Sequence, residues 1–151
     1  MRGDTRAISP AVTQALTIGI STILITGLLV GGSTFVDAKQ DSTVRQGLQD
    51  VGSGVASDLV RLDQFSRTSD RSTISFTSDY PDRVGSEGYE IRLVPDSGVT
   101  KIYVNSTSSE LWTVVRFANT QDVCASSVSG GQIAVVYDTT ESPSCLEVRE
   151  V

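Results

Sequence analysis

No histidine occurs anywhere in the 151 residues. That removes the commonest general base and metal ligand, and with it every Ser–His or Cys–His nucleophile arrangement. Lysine is nearly absent too: ten of the twelve basic residues are Arg, and only Lys39 and Lys101 are Lys. A formal net charge of −6, with Asp outnumbering Glu twelve to six, argues against nucleic acid as a partner, since phosphate binding needs basic patches. An acidic, Lys-poor, Ser/Thr-rich surface suits solubility in strong brine, and an ordinary acidic extracellular domain has the same composition. Only two cysteines are present, Cys124 and Cys145. In an exported domain such a pair is most simply one disulfide, the alternative being two buried free thiols. No phosphate-cradling glycine loop, nucleotide fingerprint or dense oxygen-ligand loop appears, so no cofactor, metal or small-molecule substrate is expected. Asp79/Asp82, Glu87/Glu90 and Asp138/Glu141 read as solvated surface. The chain is not expected to be an enzyme.

What is present in quantity is one long run without charge. Ala7–Val36 (AISPAVTQALTIGISTILITGLLVGGSTFV) lies between Arg2, Asp4 and Arg6 on one side and Asp37, Lys39 and Asp41 on the other. Thirty residues of helix reach about 45 Å, more than a hydrocarbon core requires. Five threonines, three serines and four glycines interrupt its aliphatic residues, which favours close helix–helix contact. Ala11, Ala15, Gly19, Thr26, Gly27 and Gly31 are the candidate packing positions. Arg2 and Arg6 place the N-terminus on the cytoplasmic side and the remainder outside. Ser9 can cap the helix and Pro10 is tolerated in its first turn.

Beyond Asp37 the chain becomes charged, but Val44, Leu48, Val51, Val55, Leu59, Leu62 and Phe65 recur in steps of three and four, a helical stripe with Asp58, Arg61 and Asp63 mainly off it. A near-continuous helix of about 85 Å from about Pro10 to about Ser66 is expected, with Gly31–Gly32 and Gly52/Gly54 as the places to bend. After the polar break SRTSDRS the period changes to two. Thr73–Phe76, Tyr89–Leu93, Val99–Val104, Leu111–Phe117, Gln132–Tyr137 and Leu146–Val148 read as strands, and Pro95-Asp96-Ser97-Gly98 as a hairpin turn. The fold class is α+β: a long N-terminal helix, first hydrophobic and then amphipathic, carrying a small antiparallel β-sheet head. Its segments are 1–7 as leader, 8–36 as the membrane or assembly helix, 37–66 as stalk and 67–151 as an extracellular head. A Cys124–Cys145 bond would close the last strand-loop-strand region and contribute roughly 3 kcal/mol. Asn105-Ser106-Thr107 fits the N-glycosylation sequon and falls just after a predicted strand. Trp112, the only Trp, alternates out of phase with Leu111, Thr113, Val115 and Phe117, which points to the opposite face of its strand; between packing against the helix and a ligand platform, packing is expected.

The N-terminal residues Arg6-Ala7-Ile8-Ser9-Pro10, set between a short charged leader and the apolar run, resemble archaeal type IV pilins, particularly haloarchaeal ones. The resemblance covers about the first 40 residues. It implies cleavage by a prepilin peptidase on the cytoplasmic side, with Arg6 as the charged residue, Ala7 preceding the cut and Ile8 the first mature residue. It also implies assembly with copies of itself or other pilins in a helical bundle. The Glu that bacterial type IV pilins carry near the fifth mature position is Val12 here, a departure from the bacterial subtype. The alternative is an uncleaved, N-in, single-span anchor whose outer domain binds a partner.

Overall fold

The computed structural model describes residues 8–68, 73–140 and 144–151. One helix, α1 (Ile8–Ser66), is followed by eight strands: β1 (Thr73–Asp79), β2 (Arg83–Val84), β3 (Glu87–Asp96), β4 (Val99–Ser106), β5 (Trp112–Ala118), β6 (Ser126–Ser129), β7 (Gln132–Asp138) and β8 (Cys145–Glu150). This is the expected α+β class, with a long apolar N-terminal helix and antiparallel sheets, and it is consistent with a pilin-like fold. The helix begins at Ile8, so Ser9 lies inside its first turn rather than at the cap. It is assigned as one unbroken α-helix through Gly31–Gly32 and Gly52/Gly54. Two compact units divide between Gln40 and Asp41.

The unit that starts at Asp41 is built on the amphipathic part of α1. Val44, Leu48, Val51, Val55, Leu59 and Leu62 are all buried. Phe65 departs from the expected stripe: it is 55% exposed and meets Phe76 edge-on at 5.6 Å. The geometry accounts for this, since each step of three residues falls about 60° short of a full turn, and Leu59 to Phe65 takes two such steps.

The strands form two antiparallel sheets. One is ordered β1-β7-β8 and the other β2-β3-β4-β5. Along one edge β3 pairs with β4; its other edge is shared by β2, at Glu87 and Gly88, and β6, at Glu90–Leu93. Alternation sets the faces: Tyr89, Ile91 and Leu93 of β3 and Thr100, Ile102 and Val104 of β4 enter the core, while Glu90, Arg92, Lys101 and Tyr103 do not. The β3–β4 hairpin turns at Ser97-Gly98 as expected, with Gly98 at φ +77°, a conformation side chains resist. Two strands were not legible in the sequence. β2 has only two residues, and β6 (SSVS) offers a single apolar residue, the buried Val128.

A seam joins the sheets between β5 and β6. Cys124 N donates to Leu146 O at 2.9 Å and Leu146 N donates to Asp122 O at 2.8 Å, so this segment runs parallel beside β8. The Cys124–Cys145 disulfide, with Cα atoms 5.5 Å apart, fastens the same seam. Sequence reasoning expected the bond to close the final strand-loop-strand region; it also encloses β6.

Two carboxylates on α1 bind the head, contrary to the expectation that they lie off the packed face. Asp58 accepts hydrogen bonds from Ser78 Oγ at 2.6 Å and Tyr80 OH at 2.7 Å. Asp63, only 4% exposed, accepts from Thr120 N, Thr120 Oγ1 and Gln121 N at 2.8–3.0 Å and lies 3.7 Å from Arg67. Trp112 also departs from expectation. It is 55% exposed, tilted against Tyr103 with ring centroids 6.3 Å apart, and does not join the buried core with α1.

Two predictions follow from this packing. Asp63→Ala removes the acceptor shared by Thr120 N, Thr120 Oγ1 and Gln121 N and should lower stability by about 1–3 kcal/mol, read by urea unfolding of the full chain in detergent. A loss below about 0.5 kcal/mol would show that water replaces the carboxylate. The second concerns pH. Hydrogen bonds from Ser106 and Ser109 hold the Glu87 carboxyl below its ordinary value, Ser127 and then Arg92 do so for Glu90, and Thr140 for Asp138. Their folded values are depressed, so their contribution is present above the unfolded value and is lost as pH falls through the folded one. Burial pushes the Tyr89 hydroxyl up to about 12, and burial followed by the Asp58 hydrogen bond raises Tyr80. These raised groups contribute fully below the unfolded value of 10.0, a contribution lost as pH climbs through the folded values. With no histidine, thermal midpoints should be flat from about pH 6 to 9 and fall on both sides. A step near pH 6.5 would contradict this.

Candidate membrane-spanning and assembly segment

From Ala11 to Val36 the helix carries no charge, and every residue is exposed. Its large apolar side chains point in all directions and run from 52% exposed at Ile20 to 75% at Leu28. An 18-residue window reaches a mean hydropathy of 1.9 with none of it buried. A helix apolar on one stripe is a surface helix; one apolar all round belongs inside a core or a membrane. Among the described residues this is one helix long and apolar enough to span a bilayer.

The hydroxyls in the segment do not oppose that. Thr17 Oγ1 donates to the carbonyl of Thr13, Thr22 to Ile18 and Thr26 to Thr22, at 2.8–2.9 Å. Ser33 Oγ donates to Val30 O at 2.9 Å and Thr34 Oγ1 to Gly31 O at 3.0 Å. Each proton is satisfied within its own helix, so these residues enter hydrocarbon without an orphaned donor and remain small. At the far end, Lys39 Nζ sits 5.9 Å from the centre of the Phe35 ring, where the first charged residues appear. A cation on a long stem beside an aromatic ring is suited to an apolar–water boundary.

The candidate packing residues do not all share one face. At about 100° per residue, Ala11, Ala15, Gly19 and Thr26 fall within about 80° of arc, and Thr22 and Ser33 join them. Gly27 and Gly31 lie on a second track about 80–120° further round. Leu29 also falls on the first arc and Ile20 lies between Gly27 and Gly31, so the small residues gather on two arcs that large aliphatic residues interrupt.

Glycine usage separates the two parts of α1. A methyl group at Gly52 would come within 2.9 Å of Val115 and 3.2 Å of Val104, and one at Gly54 within 2.8 Å of the Tyr80 ring. Gly47 is similarly closed by Val84. These glycines let the head approach the helix closely, whereas Gly52 and Gly54 were expected from the sequence to be places to bend. At Gly19, Gly27, Gly31 and Gly32 a methyl would meet nothing. Within this chain nothing accounts for them, although each weakens a helix interior by about 1 kcal/mol relative to Ala.

Of the processing residues, Arg6 and Ala7 lie outside the described residues, and Ile8 is the first residue of α1. Asn105 lies inside β4, one residue before its end, rather than in the loop beyond it. Glu87 is drawn into a small network that sequence reading missed, accepting from Ser106 Oγ and, at 2.6 Å, from Ser109 Oγ. The clue was the serine run after β4, which looked like generic loop. Among the described residues no three His, Cys, Asp or Glu side chains converge as metal ligands would.

No curated protein and no solved structure matches the chain. A family model does, over residues 3–149, and so takes in both the apolar segment and the β-rich head. The chain belongs to that family, DUF7266, a family of unknown function.

Proposed function

We propose that the chain is a pilin-like structural subunit, inserted in the cell membrane with its N-terminus inside, cut between Ala7 and Ile8 by a prepilin peptidase, and assembled through α1 into a helical bundle of like subunits. The observation that carries this reading is the uncovered segment Ala11–Val36, with glycines for which the chain itself gives no reason. A lone lipid-facing anchor needs apolar length, not Gly19, Gly27, Gly31 and Gly32. Together these lower helix stability by about 4 kcal/mol relative to Ala. Close approach between helices makes such residues useful, because dispersion contacts grow as backbones draw together. The segment also exceeds the roughly 20 residues that a bilayer core needs.

The mechanism is an exchange of surroundings. Before assembly lipid covers the apolar segment; after cleavage neighbouring copies cover it, and the head faces outward from an extracellular filament. The Arg6-Ala7-Ile8 arrangement supports processing, and the self-satisfied threonines let the same surface serve in both environments. Catalysis has no part in this reading, nor does nucleic acid.

Three variants test it. Arg6→Ala and Ala7→Asp should leave a folded head, accumulate chain of precursor mass in the membrane and abolish incorporation into filaments. Gly19→Leu should leave cleavage intact and block incorporation, because it places a branched side chain on the small-residue track. Normal filaments from Ala7→Asp would overturn the processing assignment, and normal filaments from Gly19→Leu would overturn the packing face.

A further inference from the structure

The outer face of the β3–β4–β5 sheet carries a feature that assembly leaves unused. Register sets Asn105 of β4 directly opposite Trp112 of β5 and, on its other side, Glu90 of β3. Opposed residues on neighbouring strands have Cβ atoms about 5 Å apart and share a face. Glu90 is engaged by Ser127 and by Arg92, the latter at 3.2 Å. Among the described residues the Asn105 side-chain amide and the Trp112 indole N–H take no hydrogen-bond partner. The chain's only Trp stands 55% exposed beside Tyr103, while Thr100, Ile102 and Val104 on the opposite face of β4 are fully buried. Asn105, Ser109, Glu110 and Trp112 border a shallow hollow of about 370 Å3. Thr107, two residues after Asn105, is exposed in the loop beyond β4.

We infer that Asn105 carries an N-linked glycan whose first sugar lies on the Trp112 indole. A pyranose ring has an apolar C–H face and a polar rim, which matches an aromatic side chain that is apolar across its ring and donates at one edge. An exposed indole directly across the ladder from an amide without a partner supplies both the attachment atom and the surface the sugar covers. The acceptor triplet is Asn105-Ser106-Thr107, and the co-reactant is a sugar activated as a lipid-linked phosphate. Asn105 Nδ2 attacks the anomeric carbon, and the bond from that carbon to the phosphate oxygen breaks. The phosphate leaves with the electron pair, and the amide proton passes to a base of the transferase. No oxidation is involved. The inference needs the head to be outside the cell, which the filament reading and a simple anchor have in common, so it can fail or stand separately from assembly.

Trypsin cleavage after Lys101 and Arg116 releases Ile102–Arg116, a peptide that contains both Asn105 and Trp112. From protein purified out of native membranes, this peptide should be heavier by a sugar chain. The added mass should be lost in Asn105→Gln and Thr107→Ala and retained in Thr107→Ser. Because Trp112 is the sole Trp, intrinsic fluorescence of the intact chain reports on this site alone. Emission should shift to the red, and acrylamide should quench it more strongly, in Asn105→Gln than in the wild type. An unmodified wild-type peptide would overturn the site. A modified peptide with fluorescence identical in the wild type and Asn105→Gln would overturn the role given to Trp112.

Discussion

Water cannot be the lasting surroundings of a helix that is apolar on every side, and the segment Ala11–Val36 is such a helix. At about 25 cal/mol per Å2 of apolar surface, taking it out of water is favourable by far more than a domain's usual net stability. The rest of the chain answers to that constraint. From Ala11 no charge occurs until Asp37, and Thr17, Thr22, Thr26, Ser33 and Thr34 bond back to their own helix.

The second part of α1 meets the same requirement from within. Its apolar stripe is covered by two sheets, and three glycines let those sheets come close. At its C-terminal end Asp63 takes up backbone and hydroxyl donors from the loop after β5, while Asp58 holds Ser78 and Tyr80. The disulfide and the parallel seam beside β8 then join the sheets to each other. The result is a head whose core is complete, attached to a helix whose apolar half is not. An asymmetry of this kind belongs to a part designed for something larger than itself, whether a bilayer or a bundle of copies.

Much of this was legible in residue order. Period-three-and-four spacing gave the stripe from Val44 to Leu62, and alternation gave β3, β4 and the turn at Gly98, because those patterns are set by which face is buried. What escaped was whatever depends on tertiary partners. β6 has one apolar residue and forms because β3 offers an unpaired edge. Asp63 reads as a solvent-facing acid until Thr120 and Gln121 are brought to it. Trp112 was expected against the helix, although its alternation out of phase with Leu111, Thr113, Val115 and Phe117 already pointed to the outer face, where it lies with Asn105. The glycines of α1 look alike in sequence; only the presence of Val84, Val115 and Tyr80 beside some, and of nothing beside the others, separates them.

The central claim is that the apolar segment is released from a precursor to join other copies, and the N-terminal residue of the protein tests it most directly. Mass spectrometry of the chain purified from native membranes or filaments should find Ile8 at the start, the mark of prepilin-type processing. A chain that begins at Met1 or Arg2 would contradict the account and leave a single-span anchor with an outer binding domain.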